Sequence, residues 1–106
     1  MKIRAGVVLA AMMATATATA AFAQSSGADT YKAKCAMCHG ADGLAGGPIG
    51  KSMKIPPFNS PELVKASNAD LIAATTAGKN RMPAFTGKLT DTQIKDVIAY
   101  IRTLQK

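Results

Sequence analysis

Cys35-Ala36-Met37-Cys38-His39 is the stretch around which the rest of the chain is read. Two thiols three positions apart, followed at once by an imidazole, are the attachment pattern for c-type haem. The spacing has a chemical reason. On a helix, positions i and i+3 share a face, so both sulfurs can reach the two vinyl groups along one porphyrin edge. His39, next in the chain, can then turn beneath the ring and ligate iron as the proximal ligand. Other uses of the motif fit less well. A zinc site takes about four Cys or His ligands, and the whole chain has two Cys and one His. A thioredoxin-like pair expects a preceding strand and a βαβ setting, which the flanks do not offer. A plain structural disulfide remains the simple alternative.

Upstream, Asp29 to Met37 reads as a helix started near Ser26 or Asp29. Tyr31, Ala33 and Cys35 face inward, Lys32 and Lys34 face water, and Gly40 supplies a stop. Further out, Met1 to Ala23 has the form of an export signal. Lys2 and Arg4 give a charged start, an alanine-rich apolar run follows, and Ala21-Phe22-Ala23 is a small-x-small cleavage site. An uncleaved anchor would need ~20 predominantly apolar residues, and Thr15, Thr17 and Thr19 dilute this run. The expectation is a signal peptide over 1–23 and one domain over 24–106, exported to the periplasm. The full chain carries thirteen basic and six acidic side chains, a formal +7. Removing Lys2 and Arg4 leaves eleven and six, a formal +5. A domain this short buries a modest share of its surface and gains from a staple, which a large apolar cofactor would supply. Cysteines in an exported protein usually pair; here both are expected to be consumed as thioethers.

Downstream, Ala41 to Gly50 reads as a loop rich in glycine. It is either an ordinary flexible connection or a close approach to a flat ligand. In the second case the carbonyl of Pro48 is the candidate acceptor for the other ring N–H of His39, since a ligating His normally donates that hydrogen to a fixed acceptor. Ile55-Pro56-Pro57-Phe58 is forced to extend by its prolines. Ser60-Pro61-Glu62 signals a helix start, and a second helix runs from about Ser67 to Gly78. In Lys79-Asn80-Arg81-Met82-Pro83-Ala84-Phe85, Pro83 biases Met82 away from helical geometry, so its thioether sits on a loop. A sixth iron ligand is needed opposite His39, and no second His exists. Met37 lies inside the motif and cannot reach the far face. Met53 and Met82 compete, and the proline favours Met82. From Leu89 to Gln105 the pattern is a strong amphipathic helix: Thr90 and Gln93 form a capping box, and Ile94, Val97, Ile98 and Ile101, with Leu104 or its neighbour, keep the spacing of a buried stripe.

On these residues the chain resembles class I cytochrome c, in particular the small bacterial and photosynthetic single-haem kinds of the c6 and c551 type. Tyr31 before the Cys35–Gly40 motif, then Pro48, then Met82-Pro83-Ala84-Phe85, then Val97, Tyr100 and Ile101 carry the resemblance, which spans essentially all of 24–106. It implies an all-α cytochrome c fold, short helices wrapped around one covalent haem c, with first and last helices crossing. It also implies thioethers at Cys35 and Cys38 and axial ligation by His39 and Met82. Some relatives place a Trp near a propionate, and this chain has no Trp.

With both axial positions filled, iron can change oxidation state but has no open site for substrate. The expected role is an electron carrier and not an enzyme. Lys79, Arg81 and Lys88 flank the Met82 loop, and Lys51 and Lys54 could extend that rim. Such a patch would speed encounters with acidic redox partner proteins, or would simply be a solvated surface. Nucleic acid is not an expected partner, membrane contact is expected only through partners, and the chain is expected to act as a monomer. A peroxidase or gas sensor would require displacement of Met82, and nothing in the chain supplies the distal His or Arg that such chemistry favours. A haem-free dithiol protein is the third alternative. A pyridine haemochrome assay on the exported protein should give one haem per chain; a preparation with no haem signal would leave the dithiol reading standing.

Overall fold

The computed structural model describes residues 26–106, so the signal-peptide expectation over 1–23 lies outside the described residues. Six helices follow in order. Residues 26–34 are helical (α1), and α2 is Ala36–His39. Then come α3 Pro48–Ser52, α4 Pro61–Lys65, α5 Asn68–Ala77 and α6 Asp91–Leu104. Among the described residues there is no strand; two isolated bridges, Lys79–Met82 and Thr86–Leu89, close turns.

The longest element is the one whose local signals agree. Thr90 Oγ1 accepts from Gln93 N–H at 3.1 Å, and the Gln93 side chain accepts from Thr90 N–H at 2.9 Å, closing the capping box. Ile94, Val97, Ile98 and Ile101 are all buried and Leu104 is half-buried. Each such side chain contributes about 1.5–3 kcal/mol on leaving water, so the stripe fixes which face of α6 points inward. α5 starts the same way, with Ser67 and Asp70 exchanging side-chain and backbone hydrogen bonds.

Several local expectations fail. Ala33 is exposed, and the turn at Cys35 breaks the predicted Asp29–Met37 helix into α1 and α2. Ser60 precedes α4, but its hydroxyl caps nothing: Oγ is buried without a partner. The helix start rests instead on Pro61 and on the Ser60 carbonyl, which accepts from Leu63 and Val64 N–H. The loop expected over 41–50 also ends early. Gly47 serves as N-cap and Pro48 as first residue of α3, the position where a missing N–H costs nothing.

The core joins the two ends of the described chain. Tyr31 on α1 packs on Tyr100 of α6, ring centroids 5.3 Å apart, and on Phe58 at 6.2 Å. Tyr31 and Phe58, together with Cys35, Val97, Ile98 and Ile101, make the buried cluster, against which half-buried Tyr100 packs. The first and last helices meet at Gly27, where a Cβ would run into the backbone carbonyl of Asp96 and lie 3.1 Å from Tyr100 Cβ. Glycine within a helix is disfavoured relative to alanine; at Gly27 the closeness of the two backbones demands it. Gly27→Ala should therefore lower the thermal midpoint despite better helix propensity, by the ~1–3 kcal/mol typical of overpacking. Calorimetry showing an unchanged or raised midpoint would mean that the helices part without penalty.

Candidate functional site

Cys35 is the hinge between α1 and α2, and its thiol is buried. Burial, then the neighbouring Cys38 sulfur, pushes the Cys35 thiol up to about 11. Cys38 and His39 follow on α2, and both thiols are free. The motif is pinned from three directions. Cys35 N–H donates to Tyr31 C=O at 2.8 Å, continuing the α1 ladder. The Tyr31 hydroxyl donates to Gly40 C=O at 2.6 Å, tying the end of α2 back to α1. Ala45 N–H donates to His39 C=O at 2.9 Å and fixes the loop that leaves the motif. Burial raises the Tyr31 phenol further above its ordinary value, so it stays a hydrogen donor throughout the physiological range.

The His39 ring stacks on Phe58, centroids 4.6 Å apart and planes 17° from parallel. Desolvation lowers its pKa, which favours the neutral imidazole that binds metals. Its Nδ1 is buried and has no hydrogen-bond partner. The bond expected from His39 to the Pro48 carbonyl is thus not formed. Pro48 opens α3, and α3 packs on α2.

Met82 lies on a turn whose shape is over-determined. Met82 N–H donates to Lys79 C=O at 2.9 Å, and Lys79 N–H donates back at 3.2 Å. Asn80 at its corner has φ +55°, a conformation Asn tolerates. Before it, Gly78 has φ +78°, and a Cβ there would stand 2.8 Å from Met82 O and 2.9 Å from Ala84 N; only glycine fits. Beyond it, Phe85 and Thr86 N–H donate to Thr75 and Thr76 C=O, both at 3.1 Å, securing the loop to the end of α5.

These pieces converge on one cavity of about 710 Å³, inside the roughly 300–1,000 Å³ range of cofactor and ligand sites. Cys35, Cys38, His39 and Met82 all line it, and so does Met53. The remaining wall is largely apolar: Ile55, Phe58, Leu63 and Leu71 from the middle of the chain, Phe85 from the Met82 loop, and Val97, Ile98 and Ile101 from α6. Among the expected basic residues, Lys54, Lys79 and Arg81 line the cavity, whereas Lys51 and Lys88 do not. Lys34, expected only to face water, is exposed and lines it too. Glu62 is the one acid on the wall. Among the described residues no group of three or more His, Cys, Asp and Glu could hold a bare metal ion. Two free thiols, a buried imidazole and an apolar chamber instead fit a macrocycle that brings its own equatorial ligands. The roles of Tyr31 and of Gly78 escaped sequence reasoning; the positive φ at Gly78 is the kind of signal a Gly after a helix and before a tight turn can carry.

Known proteins agree with that chemistry. The family model described as cytochrome c oxidase, cbb3-type, subunit III matches residues 22–101. Cytochrome c6 of Parathermosynechococcus lividus is 38% identical over 76 residues, covering 71% of this chain and 83% of that protein. Cytochrome c6 of Thermosynechococcus vestitus is 33% identical over 96 residues, covering 90% and 82%. Cytochrome c6 of a Synechococcus strain is 36% identical over 100 residues, covering 89% and 86%.

Proposed function

The chain belongs to the class I c-type cytochromes, as a small c6-like member with the all-α fold and a covalent haem c, and from that premise we propose that it is a single-electron carrier whose iron is held by His39 and Met82. The observation that carries the reading is the convergence of Cys35, Cys38, His39 and Met82 on one apolar chamber. Haem c, when bound, supplies a one-electron iron couple. Cys35 and Cys38 are the thioether donors. His39 offers a neutral imidazole, favoured by burial. Met82 is favoured over Met53 because its turn is fastened at both ends, to Lys79 and to α5, so a soft thioether is presented at a fixed point. Methionine opposite histidine raises the reduction potential. With both positions supplied by His39 and Met82, water and substrate would be kept from the iron, which would suit a carrier and not an enzyme. With the group bound, the apolar wall of Val97, Ile98 and Phe85 would limit water at the site and so the solvent reorganisation that a charge change meets.

The exposed cations at the mouth, Lys54, Lys79 and Arg81 with Lys34, supply the docking face for an acidic redox partner. Such contacts are small and brief. The leader over 1–23 would deliver the protein to the periplasm, where it works as a monomer between larger complexes.

Met82→Ala should abolish the sulfur-to-iron band of the oxidised protein, lower the reduction potential and allow carbon monoxide to bind the reduced form, while Met53→Ala should leave all three as in the parent. The reverse pattern would transfer the ligand role to Met53. Electron-transfer rates with an acidic partner should fall steeply as salt rises from about 0.01 to 0.15 M, where the screening length shrinks from about 30 to about 8 Å, and Lys79→Glu with Arg81→Glu should flatten that dependence. Stopped-flow rates indifferent to salt would remove charge from the docking step.

A further inference from the structure

Arg102 is the most extensively bonded side chain outside the ligand set. It sits half-buried on α6. Its Nε donates to Asn68 Oδ1 at 2.9 Å, and Nη1 donates to Leu63 C=O at 3.1 Å and to Gln105 Oε1 at 3.0 Å. Its Nη2 donates to Ala66 C=O at 2.5 Å. All four acceptors are amide oxygens. Two of them, Leu63 and Ala66, are at the carboxyl end of α4, where the helix dipole favours a cation. Asn68 is the first residue of α5. Gln105 extends the grip: its Nε2 donates to Phe58 C=O at 2.9 Å and to Leu63 C=O at 3.3 Å. One planar fork thus holds the corner between α4 and α5 against the last turn of α6.

We propose that Arg102 is a positioning residue for the methionine side of the haem site: by fixing the α4–α5 corner it sets where α5, and through it the Met82 turn, stands against α6. The chain of contacts is continuous. Arg102 holds the amino end of α5 at Asn68. The other end of α5 accepts the backbone of the Met82 loop at Thr75 and Thr76. Along its length α5 supplies Leu71, Ala74 and Thr75 to the cavity wall. Freeing the corner lets α5 tilt, and the thioether is carried with it. Lysine cannot replace the fork, because one ammonium cannot meet four acceptors in a planar array. The inference rests on Met82 being the sixth ligand.

The test uses the haem-loaded protein and its Arg102→Gln, Arg102→Lys and Met82→Ala variants. The sulfur-to-iron band is followed against temperature and against alkaline pH, with far-UV circular dichroism recorded in parallel. In Arg102→Gln the midpoint for losing the band should drop by about 4–8 °C, the shift expected for losing a net hydrogen bond or two in a domain of this length. It should drop further than the midpoint for losing helix, and the band should also vanish at lower pH than in the parent. Arg102→Lys should behave like Arg102→Gln. If the band and the helix signal melt together in every variant, or if lysine restores the parent's behaviour, the positioning role is overturned. Should Arg102→Gln not mature, Asn68→Ala, which removes one acceptor, carries the same expectation at smaller size. The two readings fail separately: a band that survives Met82→Ala defeats the ligand assignment and this inference with it, whereas a band lost in Met82→Ala but unmoved in Arg102→Gln defeats the inference alone.

Discussion

The packing of Val97, Ile98 and Ile101 is the interaction on which the rest depends, because these side chains serve two structures at once. They form the hydrophobic cluster with Tyr31, Cys35 and Phe58, and they are also wall of the cavity. A domain of this size has no second core to fall back on. Folding and cofactor retention therefore draw on the same apolar surface, and a group that fills the chamber stabilises the chain as it binds. The position of Cys35 expresses the same economy: a residue of the attachment motif is simultaneously a buried member of the core.

Around that shared surface the backbone is anchored by a few polar bonds that link distant parts of the chain. Tyr31 to Gly40 joins α1 to the end of α2. Phe85 and Thr86 to Thr75 and Thr76 join the Met82 loop to α5. Arg102 and Gln105 join α6 to Leu63, Ala66 and Phe58. Short helices contribute little stability alone, and α2, α3 and α4 have four or five residues each. Their placement is dictated by these ties and by what they pack against, not by their own propensity.

That division explains what could be read in advance. The attachment motif, the Thr90–Gln93 capping box and the stripe from Ile94 to Ile101 were legible because each is written in a few neighbouring positions or in a simple period. The Met82 loop was legible because Pro83 constrains its own neighbour. What escaped is non-local. Nothing near Arg102 announces acceptors 34 to 39 positions earlier. Nothing in the glycine-rich segment announces that Gly47 and Pro48 start a helix that packs on α2. Ser60 shows the converse error: a favourable local signal is present, and tertiary burial leaves its hydroxyl unused.

Charge is arranged differently from hydrophobicity, and the difference bears on function. The interior of the cavity is apolar, yet four cations and a single acid stand on its wall, all exposed at the mouth. Charges that line one cleft with low-dielectric walls have their field focused there. A surface of that kind favours fast, short-lived encounters over tight complexes, since exposed charges raise the association rate more than they raise affinity. Under the proposed ligation by His39 and Met82 the site would have no product to release, and its turnover would be set by how quickly partners arrive and leave, a requirement that exposed charge on the cavity wall would serve.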